Sequence, residues 1–426
     1  MRNRTIALLV GVVSVMNMCG ATAMRADEPL LFWSNEAQPV EEAQAMRDNV
    51  LAGFDGPVDY SPQDPSAAAF LTRIQAELKA QSGSIGIIGG LHGDFSSFAD
   101  GLVDLSSVDT KGVANSFVDL AHLGTKEQKY IPWMQATYVM VANKKALEFL
   151  PAGVNINAMT YDQLAAWGKT LAERTGSPKI GFPAGPRGLM HRFFEGYLYP
   201  SYTGRAVTEF RSKEAEAMWT AFRDLWQYVS PASTGYGFMQ EPLLTEDVWV
   251  AWDHVARLKD ALNQRPNDFV VFPVPAGPEG RGNMPVIAGL GIPTTSPNPE
   301  QAKRLITYML KPETQIATLR ATGFFPVEDI VLPDDVPVSA RMIQPVVAAQ
   351  AAASDRITAL LPTGLRDAGN RFNQVFTDSF EQIVLNGADI RETLDREGEA
   401  LQGIFNETGA PCWAPDPESE GACQLK

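Results

Sequence analysis

Short apolar runs alternate with segments of helical periodicity over the first part of the chain. The runs "LLFWS", "PVDYS" and "GSIGIIGG" have the length and composition of buried strands. Between them, residues 43–51 and 70–78 place apolar side chains on one helical face, and Pro65 suits the start of the second helix. Strand and helix in alternation predict a parallel sheet with helices on its faces.

The longest apolar run is "YIPWMQATYVMVANKKALEFLP", which covers residues 130–151. Its β-branched and aromatic residues predict a strand that is buried on both faces. Asn143 then suits the N-cap of a helix that carries Ala146, Leu147 and Leu150 on one side. A buried strand that leads into a helix is again an α/β unit.

Capping residues predict where the later helices begin and end. Thr160 with Gln163 forms a capping-box pattern, and Gly176 is placed to end that helix. Asn298 and Asp389 suit the N-caps of two further helices. The segments "IGFPAG", "DVWVAW", "DFVVFPVP" and "VIAGLGIPTT" between them predict more strands, and the chain after residue 333 is predicted to be mostly helical.

Size and charge narrow the class of protein. The chain has 426 residues, of which 45% are hydrophobic and 20% charged, and this predicts two domains or one domain of two lobes. A formal charge of −15 argues against nucleic acid as a partner, because no basic stripe is available for phosphates.

The N-terminus has the order of a secretory signal peptide. Arg2 and Arg4 precede an apolar segment, and the small residues "CGATA" follow it, so residues 1–26 are expected to hold a signal peptide that is cleaved after Ala23 or Ala26. Lipid anchoring at Cys19 is not expected, because the preceding Met-Asn-Met does not fit a lipobox. No later segment has the roughly 18 uninterrupted apolar residues of a membrane helix. These features predict an exported, periplasmic protein.

Two cysteines remain beyond the signal segment. Cys412 and Cys423 lie close together in "APCWAPDPESEGAC", among Pro and Gly. In an oxidising compartment this spacing favours a small structural disulfide over two free thiols.

The sequence lacks the common catalytic motifs. None of its four histidines forms an HExxH, and it contains no nucleophile elbow, Walker-type phosphate loop or zinc-binding cysteine pair. We therefore expect no enzyme, no metal and no cofactor.

Tryptophans supply the candidate binding chemistry instead. Trp167, Trp219 and Trp226 have core spacing within helices, and Trp249 also suits the core. For Trp33 and Trp252, at strand ends beside polar residues, the sequence leaves both a ligand contact and a core position open. Ligands of open α/β sheets bind at the carboxyl ends of strands, where an indole can stack on a sugar ring.

Several motifs, taken in order, resemble the extracellular solute-binding proteins of ABC importers, typified by maltose-binding protein. "IPWMQATYVMVANKKAL" resembles the Pro-Trp, strand and Asn-Lys signature of the family, and "MTYDQLAAWGKTLAERTG" resembles its helix. The stretch from "FVVFPVPAGPEGRG" to "TGFFPV" follows the family's order of Pro-x-Pro-x-Gly, glycine-containing strand, helix and Gly-x-x-Pro.

The resemblance implies a two-lobed α/β periplasmic-binding-protein fold with the ligand in a cleft between the lobes. It implies that residues 27–136 and 288–332 form lobe 1, and that residues 137–287 and 333–405 form lobe 2. Residues 406–426 would be a tail. The chain would cross between the lobes at residues 135–140 and return at residues 287–290, where glycines suit a hinge.

The resemblance also implies a set of ligand-binding residues, although "DVWVAWDH" departs from the family's usual Gly-x-x-Ala-Met stretch. Arg187 can face either the ligand or solvent. The implied contacts are Trp33, Asn35, Glu36, His92, Asp94, Trp133, Gln135, Arg187, Trp252, Asp253 and Gly289.

The resemblance implies a monomer that binds a carbohydrate and presents it to a membrane permease. Two other ligand classes remain open within the same fold. A cleft rich in Asp and Glu would favour a polyamine, and convergence of Arg187 with Arg257 would favour an organic anion or phosphate ester. A carbohydrate-active enzyme would need two facing carboxyl groups about 5–9 Å apart.

Overall fold

The computed structural model describes residues 28–37, 39–63 and 69–426. The predicted signal peptide, with Cys19, and the predicted helix-starting Pro65 lie outside these residues. The predicted early strands are confirmed, and strands recur along the described chain. In chain order they are β1 (Leu30–Ser34), β2 (Val58–Pro62), β3 (Ile85–Leu91), β4 (Ile131–Ala136), β5 (Tyr138–Asn143), β6 (Ile180–Gly181), β7 (Val250–His254), β8 (Phe269–Phe272), β9 (Arg281–Asn283), β10 (Val286–Gly291) and β11 (Arg356–Thr358).

The predicted caps are confirmed. Asn143, Asn298 and Asp389 accept hydrogen bonds from backbone amides at helix starts, and Thr160 with Gln163 forms a capping box. The helices are α1 (Val40–Ala45), α2 (Ala69–Ala80), α3 (His92–Phe95), α4 (Asn115–Leu120), α5 (Tyr161–Thr175), α6 (Met190–Phe193), α7 (Tyr199–Thr203), α8 (Lys213–Trp226), α9 (Gln240–Leu244), α10 (Val255–Gln264), α11 (Pro299–Met309), α12 (Pro312–Thr322), α13 (Val338–Ala352), α14 (Gly369–Phe380) and α15 (Ile390–Thr408).

Tighter and wider turns extend or link these helices. The 3₁₀ segments are Leu51–Gly53, Ser96–Gly101, Lys144–Phe149, Ile156–Ala158, Pro231–Gly235 and Arg366–Ala368, and the π segments are Met46–Val50, Phe194–Leu198 and Glu381–Leu385.

The strands form two main sheets, which define the two lobes. The sheet of lobe 1 has the order β2-β1-β3-β10-β4, with β10 antiparallel to both of its neighbours. The sheet of lobe 2 has the order β6-β7-β5-β8, with β5 antiparallel to β7 and β8. A short pair of β9 and β11 lies apart from both sheets. Helices pack on both sheets, each of which has its own apolar core.

The chain passes from one sheet to the other within the longest apolar run. The sequence reads as one strand, but the structure divides it at Thr137 into β4 of lobe 1 and β5 of lobe 2. A third segment joins this crossing, because Phe325 and Gln135 exchange backbone hydrogen bonds of 2.7 and 2.8 Å.

The return crossing differs from the expected one. Residues 287–290 were predicted to be the hinge, but they lie inside β10 and pair with β3 and β4. The chain leaves lobe 2 after β9 and enters β10 at Val286, so Met284 and Pro285 make the crossing. Gly289 is required there by close packing, because a Cβ atom would lie 2.1 Å from the ring of Tyr130.

The C-terminal segment is part of lobe 2. Cys412 and Cys423 form a disulfide. Trp413, to which the sequence assigned no role, packs against Phe372 and Phe405. The carboxylate of Asp416 accepts hydrogen bonds from the backbone amides of residues 206, 207 and 208 at 2.8–3.0 Å.

Candidate ligand cleft between the lobes

The carboxyl ends of strands from both sheets meet at the crossings. In lobe 2, His254 at the end of β7 pairs with Tyr138, which directly follows the crossing at Thr137. In lobe 1, Leu91 at the end of β3 pairs with Ala288, at the level of Met134 shortly before the same crossing. Polar loops that follow strand ends in the two lobes therefore face one gap, the position where open α/β sheets bind ligands.

Lobe 1 supplies an acidic wall to this cleft. The loop after β1 carries Asn35 and Glu36, and α3 after β3 carries Asp94. One carboxylate oxygen of Asp94 accepts hydrogen bonds of 2.9 Å from the side chain of Asn35 and from the backbone amide of Leu91. The predicted residues Asn35, Glu36 and Asp94 are thus brought together.

The carboxyl group of Glu36 is buried and has no hydrogen-bond partner among the described residues. The residue is 7% exposed, and no donor from the described part of the chain reaches its side-chain oxygens. Burial, with the nearby charges of Asp94 and Glu42, raises the pKa of Glu36 well above its usual range. A buried polar group is normally hydrogen-bonded, so Glu36 is an acceptor available to a ligand.

His92 is held as a neutral side chain at the same strand end. Its Nδ1 lies 2.8 Å from the hydroxyl of Tyr130, and burial lowers its pKa to about 4. The ring therefore orients Tyr130 and carries no charge at neutral pH.

Lobe 2 supplies a basic wall to the cleft, and its Arg192 was not identified in the sequence analysis. Arg192 on α6 donates a hydrogen bond of 2.8 Å to Glu195 and lies close enough to Asp94 to oppose the burial that raises the pKa of that carboxyl group. Burial raises the pKa of Glu195 to about 7 despite Arg192. No motif links these residues to the loops of lobe 1, and only the fold brings them together.

Arg187 and Arg257 converge on the ring of Phe238. The guanidinium carbon of Arg257 lies 4.4 Å from the ring centroid, and that of Arg187 lies 5.7 Å from it. Nη1 of Arg257 donates to the backbone oxygens of Arg187 and Gly237 at 3.1 and 3.0 Å. This is the convergence that would favour an anionic group, and Phe238 is the residue that sequence reasoning missed.

The structure places the expected tryptophans in cores. Trp33 donates from its indole to the backbone oxygen of Phe70, and Arg73 covers its ring at 4.3 Å. Trp133 is fully buried in the core of lobe 1. Trp252 is fully buried in lobe 2 and stacks on Tyr138 with ring centroids 4.7 Å apart. Packing encloses these three indoles, although the indole N–H groups of Trp133 and Trp252 have no hydrogen-bond partner among the described residues.

Three other expected contacts have structural partners. Gln135 donates from its side chain to the backbone oxygen of Pro326 at 2.7 Å, within the crossings. Asp253 is buried, accepts hydrogen bonds from the amides of Met239 and His254, and has its pKa raised to about 6 by burial. Gly289 lies in the middle of the lobe 1 sheet.

The two lobes contact each other across the cleft. Lys259 of lobe 2 pairs with Glu42 of lobe 1, and the hydroxyl of Ser96 accepts a hydrogen bond of 2.8 Å from the amide of Gly364. The cavity between Asp94 and Arg192 has a volume of about 100 Å³. This volume is smaller than the roughly 300–1,000 Å³ that ligand pockets usually enclose.

The described residues contain neither a metal-binding cluster nor a membrane-spanning helix. Within residues 28–37, 39–63 and 69–426, no cluster of His, Cys, Asp and Glu has the composition of a metal site. No helix in these ranges is both long and apolar enough to cross a membrane.

Comparison with known proteins identifies the family of this chain and solved structures that share its fold. Residues 36–316 match the description of bacterial extracellular solute-binding proteins. No curated protein matches the sequence.

Solved structures share the fold. The GacH receptor of Streptomyces glaucescens, solved unliganded and with acarbose, superposes with a TM-score of 0.68 at 17% identity, over 89% of this chain and 99% of that one. UgpB of Mycobacterium tuberculosis with glycerophosphocholine superposes with a TM-score of 0.70 at 18% identity, over 89% of this chain and 99% of that one. Maltose-bound MalE3 of T. maritima superposes with a TM-score of 0.70 at 16% identity, over 88% of this chain and 98% of that one.

Proposed function

Because the chain belongs to the family of bacterial extracellular solute-binding proteins, we propose that it captures a carbohydrate between its lobes for import. In this proposal the loaded protein docks on the membrane permease of an ABC importer and releases the sugar there. It acts as a monomer in the periplasm, after removal of residues 1–26, and catalyses no reaction.

The observation that carries the carbohydrate proposal is the acidic wall of lobe 1. Glu36 is buried with its side-chain oxygens unpaired, and Asp94 next to it uses one oxygen for Asn35 and Leu91. The oxygens of a carboxyl group accept hydrogen bonds from sugar hydroxyls. Among structures of the same fold, the GacH receptor was solved with acarbose and MalE3 with maltose.

Lobe closure is the second part of the proposal. In this proposal the described residues among 28–136 move together with residues 288–332, and residues 137–287 move together with 333–405, except that strand β10 already begins at Val286. A solute that contacts Glu36 on one lobe and Arg192 on the other favours the closed state, because it binds that state more tightly.

A thermal-shift screen over neutral and charged sugars, polyamines and organic acids tests the proposal. A sugar that binds the folded protein raises the melting temperature, and Glu36→Gln reduces that rise while Glu41→Gln, on the exposed face of α1, leaves it unchanged. If no sugar shifts the wild-type transition, or if glycosides are cleaved by the protein, the carbohydrate-carrier proposal is wrong.

A further inference from the structure

The cleft face of lobe 2 carries two arginines that converge on one aromatic ring, with the acidic group of Asp253 near Arg257 but beyond salt-bridge distance. Arg187 lies in the loop after β6, and Arg257 lies in the first turns of α10 after β7. Both strands point their carboxyl ends toward the crossings, since β6 is parallel to β7 and His254 pairs with Tyr138. Both guanidinium groups lie within 5.7 Å of the centroid of the Phe238 ring.

Neither arginine has a carboxylate in salt-bridge distance among residues 28–37, 39–63 and 69–426. Nη1 of Arg257 donates hydrogen bonds to two backbone oxygens, and the hydrogens on its Nε and Nη2 have no acceptor in these ranges. The neighbouring His191 carries no charge, because desolvation and the charges of Arg192 and Arg257 lower its pKa well below the usual range. Two cations held together repel each other unless an anion lies between them.

The backbone that presents the pair has little freedom to move. Gly185 donates to the backbone oxygen of Tyr236 at 2.8 Å, and Gly188 donates back to Gly185 at 2.7 Å. A Cβ atom on Gly188 would lie 1.7 Å from the backbone oxygen of Pro183, so the turn that carries Arg187 requires glycine. A cationic site fixed in advance loses less entropy when a ligand binds.

Phe238 adds an apolar surface to the cationic one. It is 37% exposed, an uncommon exposure for a large apolar side chain in the described part of the chain. An exposed aromatic side chain can stack on the C–H face of a sugar ring.

We propose that Arg187, Phe238 and Arg257 form a subsite for a carboxylate or phosphate group carried by the carbohydrate. The solute class is therefore an acidic sugar rather than a neutral one, and this assignment rests on the proposed function. Guanidinium groups bind carboxylates and phosphates through paired hydrogen bonds.

The charges of the two walls set the orientation of the bound sugar. The acid group faces the arginines of lobe 2, and the hydroxyl groups face Glu36 and Asp94 of lobe 1, whose carboxyl oxygens accept hydrogen bonds and offer an acid group no positive charge. A polyamine is disfavoured, because Arg187, Arg192 and Arg257 would repel its ammonium groups.

Calorimetric titration with matched ligands tests the subsite. The probes are glucose, glucuronate and glucose 6-phosphate, with the galactose series and the corresponding disaccharides, against wild type, Arg187→Gln and Arg257→Gln. Arg371→Gln is the matched control, because it removes one positive charge from an exposed helix position of lobe 2. Circular dichroism verifies that each variant folds.

We expect an acidic sugar to bind wild type at least about tenfold more tightly than its neutral counterpart. Each cleft variant removes that advantage, the control retains it, and added salt weakens only the acidic ligand. Equal binding of neutral and acidic sugars, or an advantage that survives in both cleft variants, overturns the subsite and leaves the carbohydrate function standing. Binding of polyamines with no sugar bound overturns both.

Discussion

The hydroxyl of Thr137 donates a hydrogen bond of 2.9 Å to the backbone oxygen of Met284, and this bond joins the two crossings between the lobes. The hydroxyl of Tyr197 lies 2.9 Å from the same Thr137 oxygen and accepts the amide of Tyr138 at 3.2 Å. The hinge is therefore a small buried hydrogen-bonded network at the junction of the two sheets.

Thr137→Val should weaken this network. Valine has nearly the same shape but removes the hydroxyl donor to the oxygen of Met284 and one partner of the Tyr197 hydroxyl, at a cost of about 1–3 kcal/mol in the free energy of unfolding. Chemical denaturation measures the loss, and Thr137→Ser, which keeps the hydroxyl, should recover most of it. A Val variant as stable as the Ser variant would show that the network adds nothing.

The ion pair between Glu42 and Lys259 should favour the closed state. Lys259→Met removes the attraction between the lobes, so we expect a larger radius of gyration without ligand and about three- to tenfold weaker solute binding. Small-angle scattering and titration measure the two effects. The charge-exchanged double variant Glu42→Lys with Lys259→Glu should restore both, and failure to do so would mean that the pair does not control closure.

Glu195→Gln should change how stability depends on pH. The folded-state pKa of Glu195 is raised from 4.5 to about 7, so its contribution to stability is fully present below about pH 4.5 and is lost as the pH rises through 7. Wild type should lose up to about 3 kcal/mol relative to the variant between pH 4.5 and pH 8. Thermal unfolding at several pH values measures this, and parallel profiles for the two proteins would contradict it.

Trp252→Ala should destabilise lobe 2. The fully buried indole stacks on Tyr138 and contacts Phe193 and Tyr197 at ring distances of 5.0 and 5.7 Å, and its removal should cost about 3–5 kcal/mol. Trp252→Phe should cost much less. Denaturant unfolding measures both, and weakened ligand binding with unchanged stability would return this tryptophan to the cleft.

Gly289→Ala should disturb the lobe 1 sheet. The new methyl group would lie 2.1 Å from the ring of Tyr130, and that ring is held by stacking on Phe95. Overpacking of this kind costs about 1–3 kcal/mol. Gly235→Ala is the control, because no atom lies within 4 Å of its added Cβ, and equal melting temperatures for the two variants would contradict the close-packing explanation.

The ends of several helices could be predicted from the sequence, because they are set by the residues at those ends. The caps at Thr160, Asn298 and Asp389 and the stop at Gly176 depend on neighbours within a few residues. The division at Thr137 could not be predicted, because the apolar pattern is the same on both sides and only pairing with distant strands separates β4 from β5.

The family resemblance implied Glu36 and Asp94 as ligand contacts, and the structure brings these two residues close together after β1 and β3, while their contact with a ligand stays a prediction. The tryptophans were ambiguous because an indole suits a sugar-binding surface and an apolar core equally well. Arg192 and Phe238 follow no motif, and their place beside the cleft depends on long-range packing.

Asp416 stabilises a part of lobe 2 that lies far from it in the sequence. Its carboxylate completes a turn some 210 residues earlier, at Ala206 and Thr208. Buried backbone amides need hydrogen-bond partners, so loss of the Asp416 carboxylate would leave these amides unsatisfied and would disturb a turn in the middle of lobe 2.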